Sequence, residues 1–169
     1  MPQIVINSAI LSPAVATLHF TPQGILFKTA TATLGFGDDS GDADIPMEGS
    51  DERFSVKDIL VVRHAGGTTI ALPDATVEYF PKTLKPKDAK AHPCNVLILG
   101  EHRDATKIIK AVNPRLAILH NGNLEHAREI QKSLGIQTIA ANPGLVVNLK
   151  AYNALSSQQR LVSFTSPPE

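Results

Sequence analysis

A single cysteine, Cys94, excludes an intramolecular disulfide framework; beside an apolar strand it reads as a packing residue in a reducing compartment. Neither sign of charge is in excess. Sixteen Lys and Arg balance sixteen Asp and Glu, which removes any global attraction to nucleic acid, although a local patch would not show in the sum. No apolar run approaches the roughly 20 residues that span a bilayer, and the N-terminus lacks the basic start and cleavage pattern of a signal peptide. A cytoplasmic protein with no membrane partner is the expectation. Nucleotide-loop chemistry is missing too, since Cys94 to Asp104 holds neither Gly-x-Gly-x-x-Gly nor a Walker-type lysine loop. There is no internal repeat, and 169 residues suit one domain with a substantial core.

The stretch from Cys94 to Leu149 is the most legible. Asn95-Val-Leu-Ile-Leu99, closed by Gly100, has the continuous apolar pattern of a strand buried on both faces. A helix follows in which Asp104 can accept from first-turn amides, and Ala105, Ile108, Ile109 and Val112 form one apolar stripe before Asn113-Pro114. Leu116 to Leu119 is a second buried strand, ending in His120-Asn121-Gly122. Asn123 can cap a second helix carrying Leu124, Ala127, Ile130 and Leu134 at helical spacing, with Gly135 as a left-handed stop. Gln137 to Ala141 reads as a third strand. Asn142-Pro143-Gly144 fits a type II turn that returns Leu145 to Leu149 as a hairpin.

Earlier residues are strand-rich: Ile4 to Ile6, Ala16 to Phe20, Ile25 to Thr29 with a possible extension to Phe36, Asp58 to Val62, Thr68 to Leu72 and Thr76 to Phe80. Asp38 to Glu52 is acidic and poor in large apolar residues; its carboxylates suit hard cations, but the spacing is not that of an EF-hand, and a solvated loop is the simpler reading. The organisation expected is one domain: a β-rich part (1–80), a Lys- and Pro-rich linker (81–93), an α/β part (94–150) and a tail (151–169) with a short element near Arg160 to Phe164.

Four segments carry a resemblance: Asn95-Val-Leu-Ile-Leu99; Ala105-Thr-Lys-Ile-Ile-Lys-Ala-Val-Asn-Pro-Arg-Leu-Ala-Ile-Leu-His120; Ala127-Arg-Glu-Ile-Gln131; and Gly135-Ile-Gln-Thr-Ile-Ala-Ala-Asn-Pro-Gly144. In order and spacing they resemble the C-terminal half of metallo-β-lactamase-fold hydrolases, particularly the group related to tRNA 3′-processing endonucleases. The resemblance covers about a third of the chain. Arg63-His64-Ala65-Gly66-Gly67-Thr68-Thr69-Ile70 adds to it, because the family has a His followed closely by such a strand. It implies an α/β (α+β) fold: a metallo-β-lactamase-like half with a β-rich N-terminal part followed by β-α-β-α-β-β. It also implies a shortened, degenerate member. The family's His-x-His-x-Asp-His metal loop is absent, and Phe80-Pro81-Lys82 stands where an Asp-Thr would bridge two metals.

Six dispersed histidines remain. His120 ends a strand, where open α/β sheets place ligands. The resemblance puts the family's last ligand one residue on, at Asn121, so the imidazole is displaced by one position. His102 and Arg103 lie between a strand end and a helix N-terminus, suiting phosphate, and the resemblance implies a general acid near His102. His102 and His120 are therefore the catalytic candidates, Arg103, His64 and Asn121 the ligand-binding ones, and His120 with His64 the metal candidates. His19 and His126 read as strand and helix-surface residues, and His92 as linker. The expected function is a binding or assembly module with no cofactor, its ligand a nucleotide or other phosphate compound. The alternative is an active phosphodiesterase or nuclease holding zinc or manganese, with Asp38 or Asp39 completing the set. A shortened sheet must cover an apolar face, so a homo-oligomer is expected.

Overall fold

The computed structural model describes residues 17–20, 24–28, 33–37, 45–46, 53–56, 59–72, 75–139, 146–148 and 161–165. Two sheets are present. The smaller begins with β1 (Thr17–Phe20), β2 (Gly24–Lys28), β3 (Thr33–Gly37) and β4 (Ile45–Pro46). The chain then builds an antiparallel meander of β5 (Arg53–Val56), β6 (Ile59–His64), β7 (Gly67–Ala71) and β8 (Thr76–Phe80). After α1 (Pro86–Lys90) come β9 (Val96–Leu99), α2 (Ala105–Val112), β10 (Leu116–Leu119), α3 (Leu124–Leu134), β11 (Gln137–Ile139), β12 (Val146–Asn148) and β13 (Leu161–Phe164). The small sheet runs β12-β1-β2-β3-β4 and the large one β11-β13-β10-β9-β8-β7-β6-β5. The result is the expected mixed α/β architecture.

Alternation along the strands divides the apolar side chains between two cores. Val96 and Ile98 of β9 and Ile118 of β10 join Leu18, Phe20, Ile25 and Phe27 from the small sheet, forming a core between the sheets. Leu97 and Leu99 point the other way, to Ala105, Ile108 and Ile109 of α2 and Ala127 and Ile130 of α3. Fully burying each large aliphatic side chain contributes about 1.5–3 kcal/mol. Ile118 thus lies on the opposite side of the sheet from Ile108, Ile109 and Ile130.

Helix ends follow local chemistry. Asn123 Oδ1 accepts from the His126 amide at 2.8 Å, and Gly135 ends α3 at φ 66°. Asp104 precedes α2 but takes a left-handed φ of 59° and makes no capping hydrogen bond, against expectation. Asn113, at φ 53°, closes α2 through its amide to the Ile109 carbonyl at 2.7 Å.

Three connections differ from the sequence reading. Val146–Asn148 is a strand, but it pairs antiparallel with β1 in the other sheet instead of returning along β11. The tail element enters the large sheet as β13, parallel to both β10 and β11, and separates them. The stretch expected as a linker contains α1, with Pro86 in its first turn and Ala89 fully buried against the helix-side core. Ile4 to Ile6, the Asn142-Pro143-Gly144 turn and most of the acidic stretch lie outside the described residues. Among those described, no helix is long and apolar enough to cross a membrane.

Candidate metal centre

On the helix-facing side of the large sheet, β6, β7 and β8 put three polar side chains together. Thr69 and Glu78 are direct partners across β7 and β8, and Thr69 Oγ1 donates to Glu78 Oε2. His64 ends β6 and bonds Glu78 Oε1 through Nε2. The strands approach closely here. A Cβ on Gly67, the partner of His64, would lie 2.0 Å from the Tyr79 carbonyl oxygen, so any side chain there would force β7 from β8.

The fourth member comes from the segment after α1. The His92 amide donates to the Ala89 carbonyl at 3.0 Å, which holds the residue beside the helix end. Its ring stacks on His64, with centroids 3.7 Å apart and an interplanar angle of 9°. Phe80 meets both rings edge-on, at 6.2 and 6.3 Å.

Glu78 has no solvent exposure. Burial raises its carboxyl to about 7, opposed by the Thr69 hydrogen bond and then by His92. A buried carboxylate needs either a proton or a cation nearby. One donor atom each from His64, Glu78 and His92 lies within 4.8 Å of the others. Donor atoms around one tetrahedral zinc lie about 3.4 Å apart, so the set closes on one ion only with shifts of over an ångström and a turn of one imidazole out of the stack. The residue types fit a dication. The cluster opens on a cleft of about 480 Å³ whose wall includes Ala65, Gly66, Leu84, Asp88 and Ala91. Cys94 stays a packing residue: burial first, then the charge of Glu78, raises its thiol far above the range in which thiolate forms.

The other sequence candidates sit elsewhere. β9 and β10 are parallel neighbours, so His102 and His120 do follow adjacent strand ends. His102 Nε2 donates to the His120 backbone carbonyl at 3.0 Å. Burial lowers its pKa, which suits the neutral donor tautomer. His120 is 8% exposed, and its ring centroid lies 6.0 Å from that of Phe20, beside the inter-sheet core. Asn121 is exposed at φ 56°, and its amide donates to Thr165 Oγ1 at 2.9 Å. Arg103 is exposed, its carbonyl accepting from Thr83 Oγ1 at 3.0 Å. The structure thus brings His64 together with Glu78 and His92, which the sequence reading did not single out, and His120 is not in that cluster. The sequence offers only a weak hint of Glu78, a carboxylate sharing a strand face with Phe80; that the strand lies next to the wholly apolar β9, where an unpaired carboxylate is costly, emerges from the fold.

No protein-family model and no curated protein matches the sequence. Among solved structures, the chain is similar to one from Thermotoga maritima described as a candidate Zn-dependent hydrolase of the metallo-β-lactamase superfamily. The TM-score is 0.61 at 8% identity, over 89% of this chain and 99% of that one. The fold is metallo-β-lactamase-like. The match extends over nearly the whole of the compared chain and is not confined to a C-terminal half. Within this metallo-β-lactamase-like architecture, the histidine-rich signature loop is absent from the sequence, and the His64, Glu78 and His92 cluster is a different donor set.

Proposed function

We propose that the chain is a metal-dependent hydrolase whose single ion, zinc or manganese, is held by His64, Glu78 and His92. The observation that carries this reading is the meeting of two imidazoles with a wholly buried carboxylate at the mouth of a cleft. Two histidines and one glutamate are a donor set of mononuclear zinc hydrolases, which leave a further position open. Such an ion, when bound, polarises a carbonyl or phosphoryl oxygen and lowers the pKa of an adjacent water. The chain's own groups do the rest. Thr69 fixes the orientation of Glu78, as outer partners of metal ligands do. Phe80 backs the stacked rings. Asp88, the carboxylate on the cleft wall, is the candidate proton acceptor. Among the described residues no lysine or arginine lines this cleft, so an uncharged ester or amide suits it better than the phosphodiester of the alternative drawn from the sequence.

The metal-free binding module rests on the missing signature loop and Asp-Thr bridge, and the cluster of His64, Glu78 and His92 supplies a donor set that needs neither. The test is metal analysis of protein purified without chelator. About one equivalent of zinc or manganese is expected, lost in Glu78→Gln and His92→Ala and kept in His102→Ala. Background metal in the wild type after dialysis against zinc and manganese would overturn the proposal.

A further inference from the structure

The balanced net charge conceals a segregation. Seven carboxylates and no lysine or arginine lie between Asp38 and Glu52, and because acidic and basic residues are otherwise matched, the rest of the chain has a formal charge of +7. On the helix layer, α1 and α2 pack together and form a groove of about 510 Å³ lined by Lys87, Lys90, Lys107 and Lys110, with Pro86 and Ala111. All four lysines are exposed. Asp104 lies 3.9 Å from Lys107, and among the described residues no carboxylate is part of the groove wall. Four like charges around one groove repel one another, and an occupant with several anionic groups relieves that repulsion.

We propose that each groove receives the acidic run of a second copy of this chain, joining two copies by paired, identical contacts. Charge complementarity selects the occupant, because the seven carboxylates between Asp38 and Glu52 oppose the four lysines of the groove. The described strands that flank the run, β4 and β5, are the outermost ones of their two sheets, whereas the groove lies on the helix layer between α1 and α2. Two-fold symmetry lets both grooves fill together. A polynucleotide is the less favoured occupant, because among the described residues no aromatic side chain lines the groove as a stacking platform.

Sedimentation equilibrium tests this. The unmodified chain is expected to dimerise at low salt, with the dimer weakened on the order of tenfold or more when salt rises to about 0.5 M. Two variants extend the test: one with Lys87, Lys90, Lys107 and Lys110 all changed to Glu, and one with Asp42, Asp44, Asp51 and Glu52 all changed to Lys. Each alone should be monomeric, because groove and run then carry the same sign. Mixed one to one they should restore a dimer with one copy of each, since both pairings become complementary. Circular dichroism identifies any variant that does not fold, and the salt series on the unmodified chain needs no variant. A wild type that stays monomeric at low salt at every concentration overturns the proposal, as does failure of two folded variants to pair. A monomeric wild type whose groove binds a short single-stranded oligonucleotide, with binding lost in the lysine variant, would assign the groove to polynucleotide instead.

Discussion

Among the described residues, Glu78 carries the most consequence, because it is a carboxylate with no exposure, held by Thr69 and His64 beside the apolar helix-side core. In metal-free protein its carboxyl is raised from the ordinary 4.5 to about 7. The folded chain then keeps a proton that the unfolded chain has released between those values, so its contribution is fully present below pH 4.5 and is lost as pH rises through 7. The size of this loss is about 3 kcal/mol. Glu78→Gln removes the titration and keeps the shape. In chelator, the variant should gain on the wild type as pH rises from 5 to 8, read from urea midpoints; a gap that does not change with pH would show that Glu78 titrates as an ordinary surface group. Neither Glu78 nor His92 was legible as a site residue. The cluster joins positions 64, 78 and 92, and spacing along the chain does not reveal which strand face or helix end brings such residues together. His64 was legible through its hairpin glycines and its resemblance to a family position.

Helices and strands were more readable than single residues, wherever one local rule decided them. The stripe in α3, its Asn123 cap and its Gly135 stop all agree, and the structure has that helix with those ends. Asn123→Ala should therefore cost about 1 kcal/mol, measurable as a lower thermal midpoint with an unchanged fold. Asp104 shows the limit of the same rule: the residue type is right for a cap, but its left-handed backbone leaves the side chain without a capping hydrogen bond. Strand partners were the least legible feature. Val146–Asn148 has the composition of a hairpin return, yet its partner is β1, more than a hundred residues earlier. The insertion of β13 between β10 and β11 likewise has no local signal, since alternation says which faces a strand buries and not which neighbour it pairs with.

At the scale of the whole molecule, the large sheet divides the apolar residues into two cores. Ile118 belongs to the one between the sheets and Ile130 to the one under the helices, and the two share no cluster. Both are fully buried, so trimming either to Val removes one methyl from a packed site, at about 0.5–1.5 kcal/mol each. The question is whether the costs add. Side chains that share partners couple by roughly 0.5–3 kcal/mol, whereas separate sites add to within about 0.5 kcal/mol. A sheet that acts as a rigid partition predicts additivity for Ile118→Val with Ile130→Val. The control is a pair inside one core, Ile118→Val with Ile98→Val, whose residues are direct neighbours in the β9–β10 register and should couple. Chemical denaturation of the single and double variants decides it. Coupling across the sheet as large as coupling within one core would mean that the layers yield together, and the His64, Glu78 and His92 cluster on the helix side would then feel every change made between the sheets.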